Sequence, residues 1–463
     1  MMNDIERNDK EYVWHPFTQM QEWVAQPQMI IEAAEGIKLI DSDGNKYYDG
    51  VSSLWVNLHG HRHPTIDKAI IDQLGRVAHT TMLGLINVPA SQLAEELMAV
   101  VPKGLTKLFY SDDGSTAVEI GIKMAYQYWQ LKGATKKQKF VTLANAYHGD
   151  TVGTVSVGGI DLFHRIFASL LFESIQAPCP SCYHCKLSSD PKQCGMACID
   201  EVEKILAENH GEIAAMIVEP LVQAAAGMLT QPKGYLKRLR ELTEKYNVLF
   251  LVDEVATGFG RTGKMFACDQ EDVSPDFMMV AKGITGGYLP LAATFMTDEI
   301  YNAFLGDYTQ QRTFFHGHSY TGNPLCCAAG LANLQIFREE KVIAGLEAKI
   351  EAARIRLAAF TQLRHVGEVR QQGLMIGIEL AENPAKRISF SWDMAIGAKV
   401  CKKTREYGLI IRPIGSVVVF MPPLSSTVAE IEHMLDIIYK SIQEVTETDQ
   451  TQYDNQDVAA VLI

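Results

Sequence analysis

Short apolar runs and amphipathic stretches alternate along the middle of the chain, from about residue 107 to residue 300. The apolar runs occupy residues 107–111, 139–144, 213–219, 248–253 and 277–281. Such runs, bounded by polar residues or glycine, predict buried strands, and the helical spacing of apolar residues between them predicts helices. Strands that alternate with helices favour an α/β fold, in which helices cover both faces of a mostly parallel sheet.

The chain on either side of this region has a different pattern. Two short strands around a turn at residues 41–45 predict a small β meander, which follows an arm that contains Trp14 and Trp23. Beyond about residue 325, long helical stretches, three short strands and a final helix predict an α+β domain. We therefore expect an arm with the meander over residues 1–64, a large α/β domain over residues 65–330 and a C-terminal α+β domain over residues 331–463.

Composition and charge exclude several classes of partner. The 463 residues carry 42 basic and 55 acidic side chains, a formal net charge of 42 − 55 = −13, and no basic cluster stands out. We therefore expect no binding to nucleic acid or to anionic membranes. The polar start of the chain lacks a signal-peptide pattern, and nine cysteines without such a signal favour reduced thiols. These features predict a soluble, cytoplasmic protein.

Candidate catalytic residues lie where the predicted strands end. Lys282 follows the apolar run 277–281 and precedes a glycine-rich loop, so it could be a surface charge, a phosphate ligand or a Schiff-base amine. Asp253 ends the preceding apolar run, and Tyr147 follows another. Because α/β sheets bind ligands beyond the carboxyl ends of their strands, we expect these side chains to converge at one edge.

The start of the helix after the first of these strands adds a phosphate site. Gly114 and Ser115 lie at its N-terminus, where free backbone N–H groups and the helix dipole attract anions, although the Asp and Ser residues of this segment could instead be ordinary caps. The binding site of pyridoxal phosphate requires a phosphate cradle, an aromatic face, a carboxylate and an amine, and this set is present. The amine would bind the cofactor covalently and move a proton, and the carboxylate would pair with the pyridine nitrogen.

One segment makes the family recognisable. Residues 252–263, Val-Asp-Glu-Val-Ala-Thr-Gly-Phe-Gly-Arg-Thr-Gly, are followed by Lys282 at a spacing of 282 − 253 = 29 from Asp253. This pattern resembles the class III, pyridoxal-phosphate-dependent aminotransferases, and the resemblance extends from Trp14 to about Val445. It implies PLP fold type I, with a smaller α+β domain built from the C-terminal part and the N-terminal segment. It also implies a homodimer whose active site is shared across the interface.

The resemblance assigns roles to individual residues. It implies that Lys282 is the Schiff-base lysine, Asp253 the pyridinium partner, Gly114 and Ser115 phosphate ligands, and Tyr147 the catalytic residue that covers the ring. It further implies that His318 and Ser319 reach the phosphate from the partner subunit, Gly317 contacts substrate, Arg412 grips a substrate carboxylate, and Asp150 recognises the substrate amino end. The family usually has Pro-Thr at positions 318 and 319, and Ser319 keeps the hydroxyl.

Several motifs resemble one branch of the class, which acts in biotin synthesis on 8-amino-7-oxononanoate. These motifs are residues 14–20, 52–55, 147–151, 412–413 and 421–423. The resemblance implies ping-pong transamination with S-adenosylmethionine as the amino donor. Phe17 stands where many members have Tyr, and Leu54, just before Trp55, stands where many have Trp. Because all three positions line the substrate pocket, L-lysine remains an alternative donor, and another ω-amino-acid transaminase an alternative function.

The sequence also contains two clusters of potential metal ligands. Five cysteines fall within 20 residues, at Cys179, Cys182, Cys185, Cys194 and Cys198. Their spacing could hold zinc or an iron–sulfur cluster, and the other interpretation is a reduced surface loop. We favour the reduced loop and expect no catalytic metal. His59, His61 and His63 alternate, and Pro64 with the lack of a nearby carboxylate favours a hydrogen-bonded loop over a metal site.

Overall fold

The structure is a computed structural model that describes residues 4–188, 190 and 193–447. Two compact units divide the chain. The larger unit is Pro64–Ala344, and the smaller unit combines the residues before Pro64 with those after Ala344. None of the helices in the described ranges is long and apolar enough to cross a membrane.

Helices and strands alternate through most of the described chain. The α-helices are α1 Asp4–Tyr12, α2 Met20–Ala25, α3 Ser52–Trp55, α4 Pro64–Leu74, α5 Val88–Met98, α6 Gly114–Leu131, α7 Val152–Ser156, α8 Asp161–His164, α9 Ala197–Asn209, α10 Tyr235–Lys245, α11 Asp298–Ala303, α12 Pro324–Glu339, α13 Leu346–Leu357, α14 Ile396–Glu406 and α15 Val428–Glu447. The strands are β1 Ile31–Glu35, β2 Lys38–Asp41, β3 Lys46–Asp49, β4 Leu105–Ser111, β5 Lys139–Leu143, β6 Ser174–Ala177, β7 Ile213–Val218, β8 Val222–Gln223, β9 Leu229–Thr230, β10 Leu249–Asp253, β11 Phe277–Val280, β12 Ala292–Thr297, β13 Val366–Gln372, β14 Met375–Asn383, β15 Ile388–Ser389, β16 Leu409–Ile410, β17 Arg412–Ile414 and β18 Val417–Phe420.

A seven-stranded sheet forms the centre of the larger unit, in the order β4-β12-β11-β10-β7-β5-β6. β10 pairs in parallel with both β11 and β7. β12 is antiparallel to both of its neighbours, β11 and β4, and so runs opposite to the other strands of this sheet. Every residue of β7, β10 and β11 is buried, as expected for parallel strands covered on both faces. The predicted α/β fold with a mostly parallel sheet is therefore confirmed.

The smaller unit contains two sheets. One has the order β1-β2-β3-β16, and the other has the order β13-β14-β18-β17, with β15 paired to β14. β16, from the C-terminal part of the chain, pairs in parallel with β3. Gly50 permits the close approach of the two segments, since a Cβ there would lie 2.7 Å from side-chain atoms of Leu409 and Ile411. The predicted union of the N-terminal segment with the C-terminal α+β part is confirmed.

The predicted boundary between residues 330 and 331 needs correction. It falls inside α12, and the larger unit continues to Ala344. The reason is packing: Ala329, Ala332 and Ile336 of α12 share a buried cluster with Ile66 of α4. Helical periodicity identifies such a helix but does not tell which unit buries its apolar face. Residues 448–463 of the predicted C-terminal domain lie outside the described residues.

Candidate active site

Two adjacent parallel strands place Asp253 and Lys282 at the same edge of the large sheet. Asp253 is the last residue of β10 and pairs with Met279 of β11, and Lys282 follows two residues after the end of β11. Lys282 has a φ of 44° and begins a 3-10 turn. A positive φ at a residue with a side chain is strained, and such strain is typical of functional positions held by their surroundings.

The surroundings of Lys282 favour the neutral amine. Desolvation by the surrounding protein lowers the pKa of the ammonium group, because burial penalises the charged form. The nearby carboxylates of Asp253 and Glu219 act in the opposite direction, but their effect is smaller. A neutral amine can act as a nucleophile or accept a proton, whereas an ammonium cannot.

A buried histidine orients the carboxylate of Asp253. Nδ1 of His148 lies 2.7 Å from Oδ2 of Asp253, and both side chains are buried. The backbone N–H of Val255 donates to Oδ1 at 3.0 Å. Nε2 of His148 is buried and has no hydrogen-bond partner among the described residues. His148 was missed as a functional candidate, although it lies in the Tyr-His-Gly-Asp segment, because only the fold brings it to Asp253.

The N-terminus of α6 forms a cradle of backbone amides. Asp113 caps the helix by accepting from the N–H of Thr116 at 2.9 Å, so the capping interpretation is correct for Asp113, and the phosphate site stays a prediction. A Cβ on Gly114 would lie 2.7 Å from Cγ1 of Val255, which leaves no space for a side chain. Gly149 has a φ of 125°, and a Cβ there would clash with Ser115. The two glycines therefore permit close packing of this helix end against Val255 and of the loop at Gly149 against Ser115.

Tyr147 connects the strand ends through hydrogen bonds. Its backbone N–H donates to Glu219 at 3.1 Å, and its hydroxyl donates to Oδ2 of Asp150 at 2.7 Å. Burial, and then Asp150, raises the pKa of the Tyr147 hydroxyl, so this group stays a donor. Burial raises the pKa of Glu219 to about 7. Glu219 was also missed, since only its place at a strand end was visible in the sequence.

Three predicted residues line a different part of the larger unit. Gly317, His318 and Ser319 line a cavity of about 1100 Å³ together with His79 and Tyr110. No contact between these three residues and Lys282 is found within the described part of this chain. Their predicted role, to reach a phosphate from the partner subunit, stays a prediction.

The smaller unit holds a second cavity, of about 900 Å³, which Leu54 and Arg412 line. The backbone is strained beside Leu54, because Ser52, Ser53 and Trp55 all have positive φ values. Two sets of hydrogen bonds hold this turn. The hydroxyl of Ser52 donates to the carbonyl of Met421 at 2.7 Å, and the N–H of Ser53 donates to Asp49 at 2.8 Å. Leu54 is left half exposed.

Phe17 and Trp55, which were predicted to line the substrate pocket, are not among the residues that line this cavity. Phe17 lies in the N-terminal segment with a φ of 51° and is 46% exposed. Trp55 is partly buried. Their predicted contact with substrate stays a prediction.

The clusters of potential metal ligands have ordinary contacts. The thiol of Cys179 donates to Gln223 at 3.1 Å, and burial raises the pKa of Cys198 to about 11. Among the described residues, no group of three or more potential ligands could hold a metal ion. Metal binding by the insert stays a hypothesis, which metal analysis of protein purified without chelator tests. In the histidine-rich loop, Nε2 of His61 lies 3.1 Å from Asp49.

Comparison with known proteins decides the family. The family described as Aminotransferase class-III matches residues 19–442 of this chain. The chain belongs to the class III aminotransferases. Relatives of this aminotransferase include the adenosylmethionine-8-amino-7-oxononanoate aminotransferase of Anoxybacillus flavithermus, which is 53% identical over 446 residues and is matched over 96% of this chain and 98% of the relative. The enzyme of the same name from Geobacter sulfurreducens is 48% identical, over 95% of this chain and 97% of the relative.

Solved structures agree with this class III assignment. The crystal structure of adenosylmethionine-8-amino-7-oxononanoate aminotransferase from Methanocaldococcus jannaschii has a TM-score of 0.91 and 45% identity, and the match covers 95% of this chain and 98% of that one. The ω-transaminase of Pseudomonas jessenii in complex with PMP has a TM-score of 0.92 and 28% identity, over 96% and 99% of the two chains. The predicted PLP fold type I is confirmed.

Class III aminotransferases depend on pyridoxal phosphate, and the sheet edge of this aminotransferase fits that cofactor. The amides at the start of α6, a helix of 18 residues, can receive a phosphate, because the first N–H groups of a helix have no acceptor within the helix. Asp253 is held by His148 and Val255, and each carboxylate oxygen has a further lone pair that can accept from a ring N–H. Lys282 provides an amine with a lowered pKa.

Proposed function

We propose that this aminotransferase acts in biotin biosynthesis, where it transfers an amino group to 8-amino-7-oxononanoate to form 7,8-diaminononanoate. The observation that carries the proposal is the identity of 48% to 53% with relatives of that name over at least 95% of the chain. The names of these relatives support S-adenosylmethionine as the donor. L-lysine is the alternative donor, because Leu54 gives the cavity of the smaller unit an aliphatic side chain at a position where many members have Trp.

In this proposal Lys282 anchors the cofactor and moves a proton. When bound, pyridoxal phosphate supplies an electron-accepting ring that stabilises negative charge next to the reacting nitrogen. The lowered pKa of Lys282 supports its role, because a neutral amine can take a proton from a substrate carbon and return it. Its position two residues beyond a buried strand limits its movement.

Asp253 is proposed to accept a hydrogen bond from the ring nitrogen and so to keep that nitrogen protonated. The contacts with His148 and Val255 support this role, since they fix the carboxylate before the cofactor arrives. At the other end of the site, the amides of Gly114 and Ser115 would hold the phosphate. The position of Asp253 beside β11 puts the carboxylate and Lys282 at one sheet edge.

Tyr147 and Asp150 are proposed to contact the ring and the amino end of the substrate. Their mutual hydrogen bond of 2.7 Å supports this pairing, because it holds the phenol in one orientation. Arg412 is proposed to bind the substrate carboxylate, for which its planar guanidinium offers two parallel donors.

We also propose a cytoplasmic homodimer. Support comes from large apolar side chains that are strongly exposed in the larger unit, namely Leu83, Ile86, Tyr308 and Phe315, which are 85–96% exposed except for Phe315 at 80%. Leu83 and His316, the neighbour of Phe315, line one cavity, so these two exposed segments lie near each other, and contiguous exposed apolar surface is typical of subunit interfaces. In a dimer, His318 and Ser319 would reach the phosphate of the partner subunit's site.

A two-step absorbance experiment tests the proposed function. The enzyme loaded with pyridoxal phosphate is mixed with S-adenosylmethionine or with L-lysine, and the change of the cofactor from its aldehyde form to its amine form is followed. Addition of 8-amino-7-oxononanoate should then return the aldehyde form. If neither donor changes the spectrum, or if the acceptor does not reverse the change, the proposed function is wrong.

A further inference from the structure

The cavity of the smaller unit is lined by two arginines. Arg405 lies in the last turn of α14, and Arg412 begins β17. The two residues are separated in the chain by the short strand β16, yet both line the same space of about 900 Å³. Only Arg412 has an expected role from the family resemblance, so Arg405 requires its own explanation.

The cavity has an excess of positive charge. Lys402 lines it together with the two arginines, and Asp49 is the only carboxylate among the described lining residues. Both oxygens of Asp49 already accept from the N–H of Ser53 at 2.8 Å, and Oδ2 also contacts His61 at 3.1 Å. Asp49 is therefore already hydrogen-bonded within the protein, and it does not neutralise the arginines by direct contact.

Neither arginine forms an ion pair within the described chain. Nε of Arg405 is buried and has no hydrogen-bond partner among the described residues. The pKa of Arg412 is lowered, first by desolvation and then by the charge of Arg405, which means that the two cations repel each other. Two neighbouring cations, one of which has a buried Nε without a hydrogen-bond partner, favour the binding of an anion in this cavity.

The other residues that line the cavity indicate what kind of anion would bind. Trp23, Met29, Leu54, Ile410 and Ile411 line the same cavity with apolar side chains. Pockets of this kind bind the apolar body of a ligand along their walls and fix its orientation through a few polar groups. The lining therefore fits an alkyl chain that ends in a carboxylate, rather than a compact polyanion such as inorganic phosphate.

We propose that Arg405 is a second carboxylate-binding residue, which shares the terminal carboxylate of an alkyl-chain substrate with Arg412. This inference rests on the proposed function in naming the acceptor, 8-amino-7-oxononanoate, as that substrate. A carboxylate can accept from two guanidinium groups at once, because its two oxygens offer about four lone-pair sites. The pair selects anionic acceptors over neutral ones, since a neutral chain end leaves both cations without a counter-charge.

Steady-state kinetics with the acid and its methyl ester test the inference. The variants are Arg405→Gln and Arg405→Lys, with Arg354→Gln as the matched control, because Arg354 is an exposed arginine of the same unit that pairs with Glu351. We expect Arg405→Gln to raise KM for 8-amino-7-oxononanoate roughly 10- to 100-fold, as for the loss of a charged hydrogen bond. KM for the methyl ester should change less than twofold, and Arg405→Lys should restore part of the affinity for the acid.

Equal changes in KM for the acid and the ester would overturn the inference, because they would indicate a structural effect of the substitution. An acid KM within twofold of the Arg354→Gln control would overturn it as well. Calorimetry with octanoate separates this inference from the proposed function, since that probe needs no turnover. Wild-type protein should bind octanoate at least about 10-fold more tightly than Arg405→Gln. Equal octanoate binding refutes the role of Arg405, whereas absent turnover of 8-amino-7-oxononanoate by the wild type refutes the proposed function.

Discussion

The carboxyl edge of the large sheet and the cavity of the smaller unit satisfy their polar groups in opposite ways. At the sheet edge, Asp253 contacts His148, and Tyr147 donates to both Glu219 and Asp150. In the cavity, Arg405 and Arg412 have no ion-pair partner among the described residues. In the first region the carboxylate of Asp253 and the phenol of Tyr147 are held by the chain itself, although Nε2 of His148 has no partner among the described residues. In the second region the two cations have no counter-charge in direct contact.

This difference separates two tasks. Groups that stabilise charge during a reaction act best when the protein fixes them in advance, as it does for Asp253. Groups that select a substrate must instead exchange water for the ligand, so they remain unpaired in the protein alone. We therefore expect substitutions at the sheet edge to affect the reaction with every substrate, and substitutions in the cavity to affect only substrates that carry a carboxylate.

The largest effect should follow Lys282→Ala. Transamination should fall by at least about 10⁴-fold, because the variant lacks both the covalent anchor and the proton carrier. Some cofactor should still bind, since the amides at Gly114 and Ser115 are unchanged. Steady-state kinetics and cofactor content measure the two effects, with Lys264→Ala as the control, because Lys264 is exposed. Turnover like the wild type in Lys282→Ala would contradict the proposed role.

Asp253→Asn should have the next largest effect. The variant keeps the shape of the side chain but loses the negative charge that would hold a proton on the ring nitrogen, so kcat should fall roughly 10²- to 10³-fold with either donor. Half-reaction rates measure this fall. Asp272→Asn is the control, because Asp272 is exposed and its positive φ tolerates asparagine. A loss confined to one donor would argue against a role of Asp253 in the shared chemistry.

Arg412→Gln should have a smaller and more selective effect. We expect kcat/KM for 8-amino-7-oxononanoate to fall roughly 10- to 100-fold through KM, because one charged hydrogen-bonding partner of the carboxylate is lost. Cofactor affinity should stay unchanged, in contrast to the effect expected of substitutions at the sheet edge. Titration of the apoenzyme with pyridoxal phosphate provides that comparison. A large loss of cofactor affinity in Arg412→Gln would remove the distinction between the two regions.

The smallest expected effect is a pH shift in cofactor loading. The lowered pKa of Lys282 means that the neutral amine appears at a lower pH than for a free lysine, whose pKa is 10.5. The rate at which the apoenzyme takes up pyridoxal phosphate should therefore rise with pH and reach half its maximum below pH 10.5. Because Asp253 raises the pKa of Lys282, Asp253→Asn should move the midpoint lower still. A midpoint at or above 10.5 would contradict the described environment of the lysine.

The sequence predicted the sheet edge better than it predicted the cavity, for a physical reason. Asp253 and Lys282 follow apolar runs, and the ends of parallel strands meet at one edge whatever the details of packing. His148 and Glu219 act through contacts across 105 and 72 residues, respectively, which no local pattern reveals. Arg405 resembles any basic residue in the last turn of an amphipathic helix until the fold places it beside Arg412.

The predicted elements show the same limit at the level of the fold. Between residues 107 and 300, the strands β4, β5, β7, β10 and β11 and the helices α6 and α10 were predicted, since their apolar patterns are strong. The short strand β6 and the helix α9 were not predicted. Neither β12 nor its antiparallel direction was predicted, and the direction depends on pairing with β11 and β4 rather than on composition. The end of the larger unit was placed too early, because α12 belongs to the unit that buries its apolar face.

Chemical trapping tests directly whether Lys282 holds the cofactor at the sheet edge. Enzyme loaded with pyridoxal phosphate is reduced with borohydride, digested and examined by peptide mass spectrometry. We expect one pyridoxyl group per chain, on the peptide that contains Lys282, and none on the peptide that contains Lys264. A pyridoxyl group on another lysine, or none on the Lys282 peptide of a fully loaded and active enzyme, would contradict it.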